Sequence, residues 1–159
     1  MKRVYRGIAV AVLQCLVMLS LAGKYAWDRE HLPRAWARAV PYDPNLPIRG
    51  RYVSLSLEVD TAGNIPDSTW AILSARDGRL FAKPADFDSG VRLAGWTRDG
   101  SWRISEPVDF FISEHVSDPS WRPRGEELWV EVSVPPRGAP RPIRLAVKKD
   151  GVLTPLELR

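Results

Sequence analysis

The chain has 159 residues, with 23 Lys and Arg against 19 Asp and Glu and a formal net charge of +4. Lys2, Arg3 and Arg6 carry most of that excess, so the rest of the chain is close to neutral and lacks the basic surplus that nucleic-acid binding needs. The only cysteine, Cys15, lies in an apolar run near the N-terminus; everything after it must be held by an ordinary hydrophobic core rather than by disulfides.

Residues 1–6 form a short basic stub. Residues 7–23 carry no charge and, as a helix, reach roughly 25 Å, a little less than a hydrocarbon core of about 30 Å. Arg6 and Lys24 can snorkel from either end, and Tyr25 and Trp27 suit the headgroup layer. This pattern fits a retained single span that contacts the lipid bilayer through residues 7–23. It also fits a cleaved signal peptide, with Ser20, Leu21 and Ala22 as the small-x-small site and Gly23 as the new start. A lipobox is excluded, because Lys24 stands where the modified cysteine belongs. Either way the remainder is sent out of the cytoplasm, with the basic stub held inside.

Residues 24–40 predict a helix continuing past the span, since Leu32, Trp36 and Val40 fall at i, i+4 and i+8. Pro33 kinks it or starts a second short helix. Pro41, Pro44 and Pro47 then recur at every third residue and predict an extended linker. The segment 24–47 is thus a juxtamembrane helix and linker, and 48–159 is one domain.

Within that domain the hydrophobic period becomes two. Val53, Leu55, Leu57 and Val59 alternate with polar neighbours over 51–59, and Leu128, Val130, Val132 and Val134 alternate over 128–134. Strands at 70–75 and 79–82 flank Asp77-Gly78, those at 91–96 and 102–105 flank Asp99-Gly100, and those at 143–148 and 152–156 flank Asp150-Gly151. All three dipeptides are hairpin signals. A further strand covers 109–113, and 135–142 is a proline-rich loop. Eight or nine short strands predict an all-β fold, a small antiparallel barrel or sandwich, behind an N-terminal transmembrane helix.

Gly50, Arg51, Tyr52 and Leu55 lie in a segment similar to the motif that names the GDYXXLXY proteins, small bacterial membrane-anchored proteins of unknown function. Phe110, Phe111, Ile112, Ser113 and Glu114 resemble a later segment of the same family. Arg51 stands where the motif has Asp, Leu57 where it has its last Tyr, and Ser113 where the later segment has Pro. The resemblance implies an inner-membrane protein with a cytoplasmic N-terminus and a periplasmic β-domain, and a multi-pass membrane protein as partner. Gly50, Arg51, Tyr52, Leu55, Phe111 and Glu114 are the candidate partner surface.

Catalytic patterns are thin. Ser113 and His115 share a face if 113–115 is a strand, with Asp118 nearby, but no nucleophile elbow surrounds the serine. Arg49-Gly50-Arg51 resembles the Arg-Gly-Asp box of type I signal peptidases, yet Lys83, Lys148 and Lys149 sit on apparent loops or a hairpin edge, away from any serine at helical spacing. Asp86 with Asp88, and Glu126 with Glu127, are paired carboxylates on a charged surface. His31 and His115 lie too far apart in sequence for a metal motif. The expectation is a non-catalytic accessory or interaction subunit of a membrane complex with no cofactor. The alternatives are an envelope hydrolase with a concealed site and a cleaved, soluble binding domain.

Overall fold

The computed structural model describes residues 2–42, 52–61, 65, 69–96, 100–113 and 115–158. The chain divides into two compact units, Met1–Leu32 and Pro33–Arg159.

The first unit is one helix, α1 (Lys2–His31). It stops where the sequence reaches Pro33, whose ring disfavours helical backbone in the residue before it. Arg29 and His31 occupy the last turn, where cations suit the helix dipole. Trp27 and His31 are stacked one turn apart, with ring centroids 3.8 Å apart. The stretch Tyr5–His31 is long and apolar enough to cross a membrane; 27 residues extend about 40 Å as a helix, enough for the hydrocarbon core with ends in the headgroups. Its large apolar side chains, among them Leu13, Met18 and Leu19, are exposed.

The second unit begins earlier than its sequence predicts. The helix expected over 24–40 ends at His31, and residues Arg34–Pro41 form a strand, β1. Ala35, Ala37 and Ala39 point into the core at 1%, 2% and 5% exposure, while Trp36, Arg38 and Val40 face outward. Alanine favours helix by intrinsic propensity, but burial in a sheet overrides it. The β-unit therefore starts at Pro33 rather than at residue 48. Pro41 closes β1 and is not part of a linker; Pro44 and Pro47 lie outside the described residues.

Nine further strands follow: β2 (Tyr52–Thr61), β3 (Trp70–Arg76), β4 (Arg79–Ala85), β5 (Val91–Trp96), β6 (Trp102–Ile104), β7 (Val108–Phe111), β8 (Glu126–Ser133), β9 (Arg141–Lys149) and β10 (Val152–Pro155). Strands β1, β4, β3, β5, β6 and β2 form a closed ring, because β2 pairs back onto both β1 and β4. This resolves barrel against sandwich in favour of a six-stranded barrel. Strands β8, β9 and β10 extend the sheet from β1, and β7 adds to the outside of β2.

Local chemistry explains the joints. Asp77 and Gly78 have φ of 48° and 74°, and Asp150 and Gly151 have 49° and 83°; two positive values in a row are the hairpin geometry that matches strand twist. Gly90 lies against β3 so closely that a Cβ would sit 2.2 Å from the Ala71 carbonyl oxygen. Inward residues Leu55, Leu57, Val59, Leu80, Leu93 and Val130 fill the interior, as period-two patterning requires.

Candidate functional site

Two surfaces of the β-unit merit attention. The first is where the two motif-like segments meet. β2 and β7 pair antiparallel, with Tyr52 opposite Phe111, Val53 opposite Phe110, Ser54 opposite Asp109 and Leu55 opposite Val108. Segments more than fifty residues apart thus become one two-stranded ribbon. Tyr52 and Phe111 share the outer face, their rings 6.3 Å apart and tilted by 57°. Phe111 is 73% exposed. Beside them the Ser54 hydroxyl donates to the Asp109 carboxylate. Leu55 points the other way and is fully buried, so it supports the ribbon from within and is not part of a contact surface. Gly50, Arg51 and Glu114 lie outside the described residues.

The second surface is a wedge in the barrel wall. β1 runs parallel to β4 at Trp36–Arg79, then leaves it to pair antiparallel with β2 at Ala39–Leu57. β2 in turn reaches β4 at Asp60–Phe81. The three strands therefore bound a small triangle in which the ladders are interrupted. A cavity of about 140 Å³ opens there, lined by Trp36, Arg38, Glu58, Asp60, Arg79 and Trp129 over a floor of Ala37 and Leu80. A volume of roughly 150 Å³ is enough for a benzene-sized group.

Charged side chains line the triangle and tie its strands to their neighbours. The Glu58 side chain is only 6% exposed and meets Arg38 of β1 at 3.5 Å and Arg103 of β6 at 3.3 Å. Arg79 of β4 bonds Asp60 of β2 at 2.9 Å. Arg38 also reaches Glu127, 3.5 Å away, and the Trp129 indole donates to Glu127 at 3.0 Å. Trp129 lies between two cations: Arg79 is 5.3 Å and Lys148 4.8 Å from its ring centroid. Arg144 covers Trp36 at 5.4 Å and bonds the buried Glu131 at 2.6 Å. Such stacking contributes about 0.5–1 kcal/mol at exposed sites.

Comparison of the chain with protein-family models, with characterised proteins and with solved structures finds no match.

The remaining sequence candidates do not assemble into catalytic geometry. β7 ends at Phe111, so Ser113 and His115 are not strand neighbours. Both are exposed, and the Val116 amide donates to the Ser113 carbonyl at 3.1 Å. Asp118 accepts from the Ser120 amide at 2.8 Å, the local turn bond usual for aspartate. Asp86 leads into a turn that holds Asp88 at φ 64°. Glu126 and Glu127 belong to β8 rather than preceding it, Lys83 to β4, and Lys148 and Lys149 to β9. Lys149 bonds Glu126 at 3.3 Å. Among the described residues, no group of three His, Cys, Asp or Glu side chains is arranged to hold a metal ion.

Sequence reasoning missed the wedge. Part of its signal was present in one segment, where Trp36 and Arg38 fall at alternate positions. The pairings that complete the wedge span up to about a hundred residues.

Proposed function

We propose that this chain is a single-pass membrane protein whose β-unit acts without catalysis, as an accessory or interaction subunit of a membrane complex. The Tyr52–Phe111 ribbon is its contact surface. The carrying observation is that the two segments resembling the GDYXXLXY proteins pair with each other and present an aromatic pair, one ring of it largely exposed. Aromatic side chains are enriched among residues that anchor interfaces. The exposed apolar helix supports a bilayer as the environment of the first unit. The resemblance adds a bacterial inner membrane, a cytoplasmic N-terminus, a periplasmic β-unit and a multi-pass partner.

The test is a photo-crosslinker at Phe111, with one at Val152 on β10 as control, followed by recovery of C-terminally tagged protein from solubilised membranes. A stoichiometric multi-pass protein crosslinked from position 111 and not from 152 is expected. Recovery of the chain alone, or of a soluble form beginning at Gly23, overturns the proposal.

A second reading is favoured by the wedge cavity. Arginines and carboxylates around two tryptophans suit a small zwitterion, which fits a ligand-binding barrel. A thermal-shift screen of amino acids and small carboxylates checks this reading, and a flat response across the screen counts against it.

A further inference from the structure

The outer face of β3, β4 and β5 is apolar and basic. These strands contain Arg76, Arg79, Lys83 and Arg92 and no Asp or Glu. Ala71, Leu73 and Ala82 point into the core, so Trp70, Ile72 and Lys83 look outward. Trp70 lies opposite Ala85 on β4 and Arg92 on β5, and Ile72 lies opposite Lys83. Phe87, in the β4–β5 turn, meets the Trp70 ring edge-on at 5.9 Å. Phe87 is 87% and Ile72 44% exposed, and Lys83 and Arg92 are exposed as well. Arg79 belongs to Asp60, and Arg76 lies over the Phe81 ring. Lys83 and Arg92 therefore supply the charge here, one on either side of an apolar stripe. Exposed apolar patches rimmed by polar residues mark interaction sites.

The Tyr52–Phe111 ribbon has the complementary composition. Residues 104–118 include Glu106, Asp109, Glu114 and Asp118 and no Lys or Arg. Glu106 and Asp109 are exposed, and the Ser54 hydroxyl fixes Asp109 on the ribbon's outer face by bonding its Oδ1. Asp109 and Phe111 are two residues apart along that face, about 7 Å. On the basic face, Trp70 and Lys83 are diagonal neighbours across the β3–β4 pair, about 7–8 Å apart. Phe111 seated against Trp70 and Phe87 therefore brings Asp109 to Lys83. In strand order round the ring, β3 stands three places from β2 in either direction. The basic face and the ribbon thus lie on opposite sides of the ring, and one copy can use both at once.

We infer that the basic aromatic face of β3, β4 and β5 receives the acidic aromatic ribbon of a second copy of this chain. The inference rests on the reading of the ribbon as a contact surface and names one occupant for it. Two basic faces do not pair with each other, because Lys83 and Arg92 would meet their own counterparts at a cost in like-charge repulsion. The contact is therefore heterologous, ribbon to face, and does not close on two copies. An open row built this way leaves the ribbon of its end copy uncovered, and that ribbon remains for the multi-pass partner.

The experiment uses the full chain in a Cys15→Ser background, purified in detergent micelles. One protein carries Ala85→Cys beside Trp70, and the other carries Ser113→Cys just past Phe111, each with a tag of different size. The two are mixed in equal amounts and treated with a short bismaleimide. The expected result is an 85–113 product at least about fivefold above either like pair. Lys83→Glu with Arg92→Glu in the first protein lowers that product about tenfold. Glu106→Lys with Asp109→Lys in the second protein then restores it, while near-ultraviolet circular dichroism shows that each variant is folded. Equal yields of the three products, a dominant like pair, or a charge reversal that leaves the yield unchanged overturns the inference. The sample holds no other protein, so these results leave the multi-pass reading untouched; the photo-crosslink from position 111 in native membranes tests that reading.

Discussion

Glu58→Ala tests whether ion pairs close the barrel at the wedge. In the wild type the Glu58 side chain is 6% exposed between Arg38 and Arg103. Removing one member of a buried ion pair costs about 3–5 kcal/mol, because its partner is left uncompensated. Here the partners keep 35% and 43% exposure, and Arg38 retains Glu127. Solvent screening therefore reduces the cost to about 2 kcal/mol. Arg103 recovers least, since its Nε is already buried without a hydrogen-bond partner among the described residues. For a unit of this size, about 2 kcal/mol lowers Tm by about 8 °C. The assay is thermal unfolding of the full chain in detergent micelles, followed by near-ultraviolet circular dichroism of the packed tryptophans. The paired change Glu58→Leu with Arg103→Leu removes both charges and is expected to recover all but about 1 kcal/mol. A single variant that melts within a degree or two of wild type, or a pair whose costs simply add, refutes the idea that these charges hold the strands together at the wedge.

Leu55→Ala removes a fully buried side chain from the middle of β2 and is expected to cost about 2–5 kcal/mol, read by the same melt. Gly90→Ala forces a Cβ onto the Ala71 carbonyl at a φ of 100°; a loss of more than about 1 kcal/mol is expected, with the β3–β5 amides showing faster hydrogen exchange. Phe111→Ser leaves stability within about 0.5 kcal/mol because the ring is mostly exposed, while crosslinking from a probe at Tyr52 to the partner falls. Ala35→Leu overfills a site that is 1% exposed and is expected to cost about 1–3 kcal/mol by the same melt.

What the sequence made legible was short-range. Asp77-Gly78 and Asp150-Gly151 each need two consecutive positive φ values, a demand met by very few residue pairs, so the dipeptide alone announces the turn. Val53, Leu55, Leu57 and Val59 announce a strand because alternation has one physical cause, a sheet with one face inside. The candidate sites were legible only in part. Tyr52 and Phe111 stood out singly, but their pairing follows from β2–β7 register, which no local pattern encodes. Alternation puts Glu58 on the outward face, and it does lie there. Its burial comes from Arg38 and Arg103, which arrive from strands 20 and 45 residues away.

The missed strand, β1, shows how a single spacing can serve two structures. Leu32, Trp36 and Val40 are four residues apart, which places them on one helix face; four is also a multiple of two, so they equally share one face of a strand. The large residues could not decide between these. The deciding residues were Ala35, Ala37 and Ala39, small enough to look like neutral helix formers yet all three buried. Their size has a structural cause. β1 bonds β8 along one edge and β4 and then β2 along the other, so it sits where the ring closes and its inward face meets a crowded interior. Small side chains allow that approach, whereas large ones fit a strand facing open core volume. The same position makes β1 one side of the wedge. Ala35→Leu therefore discriminates sharply: it is nearly neutral by propensity in a helix and overpacked in the barrel.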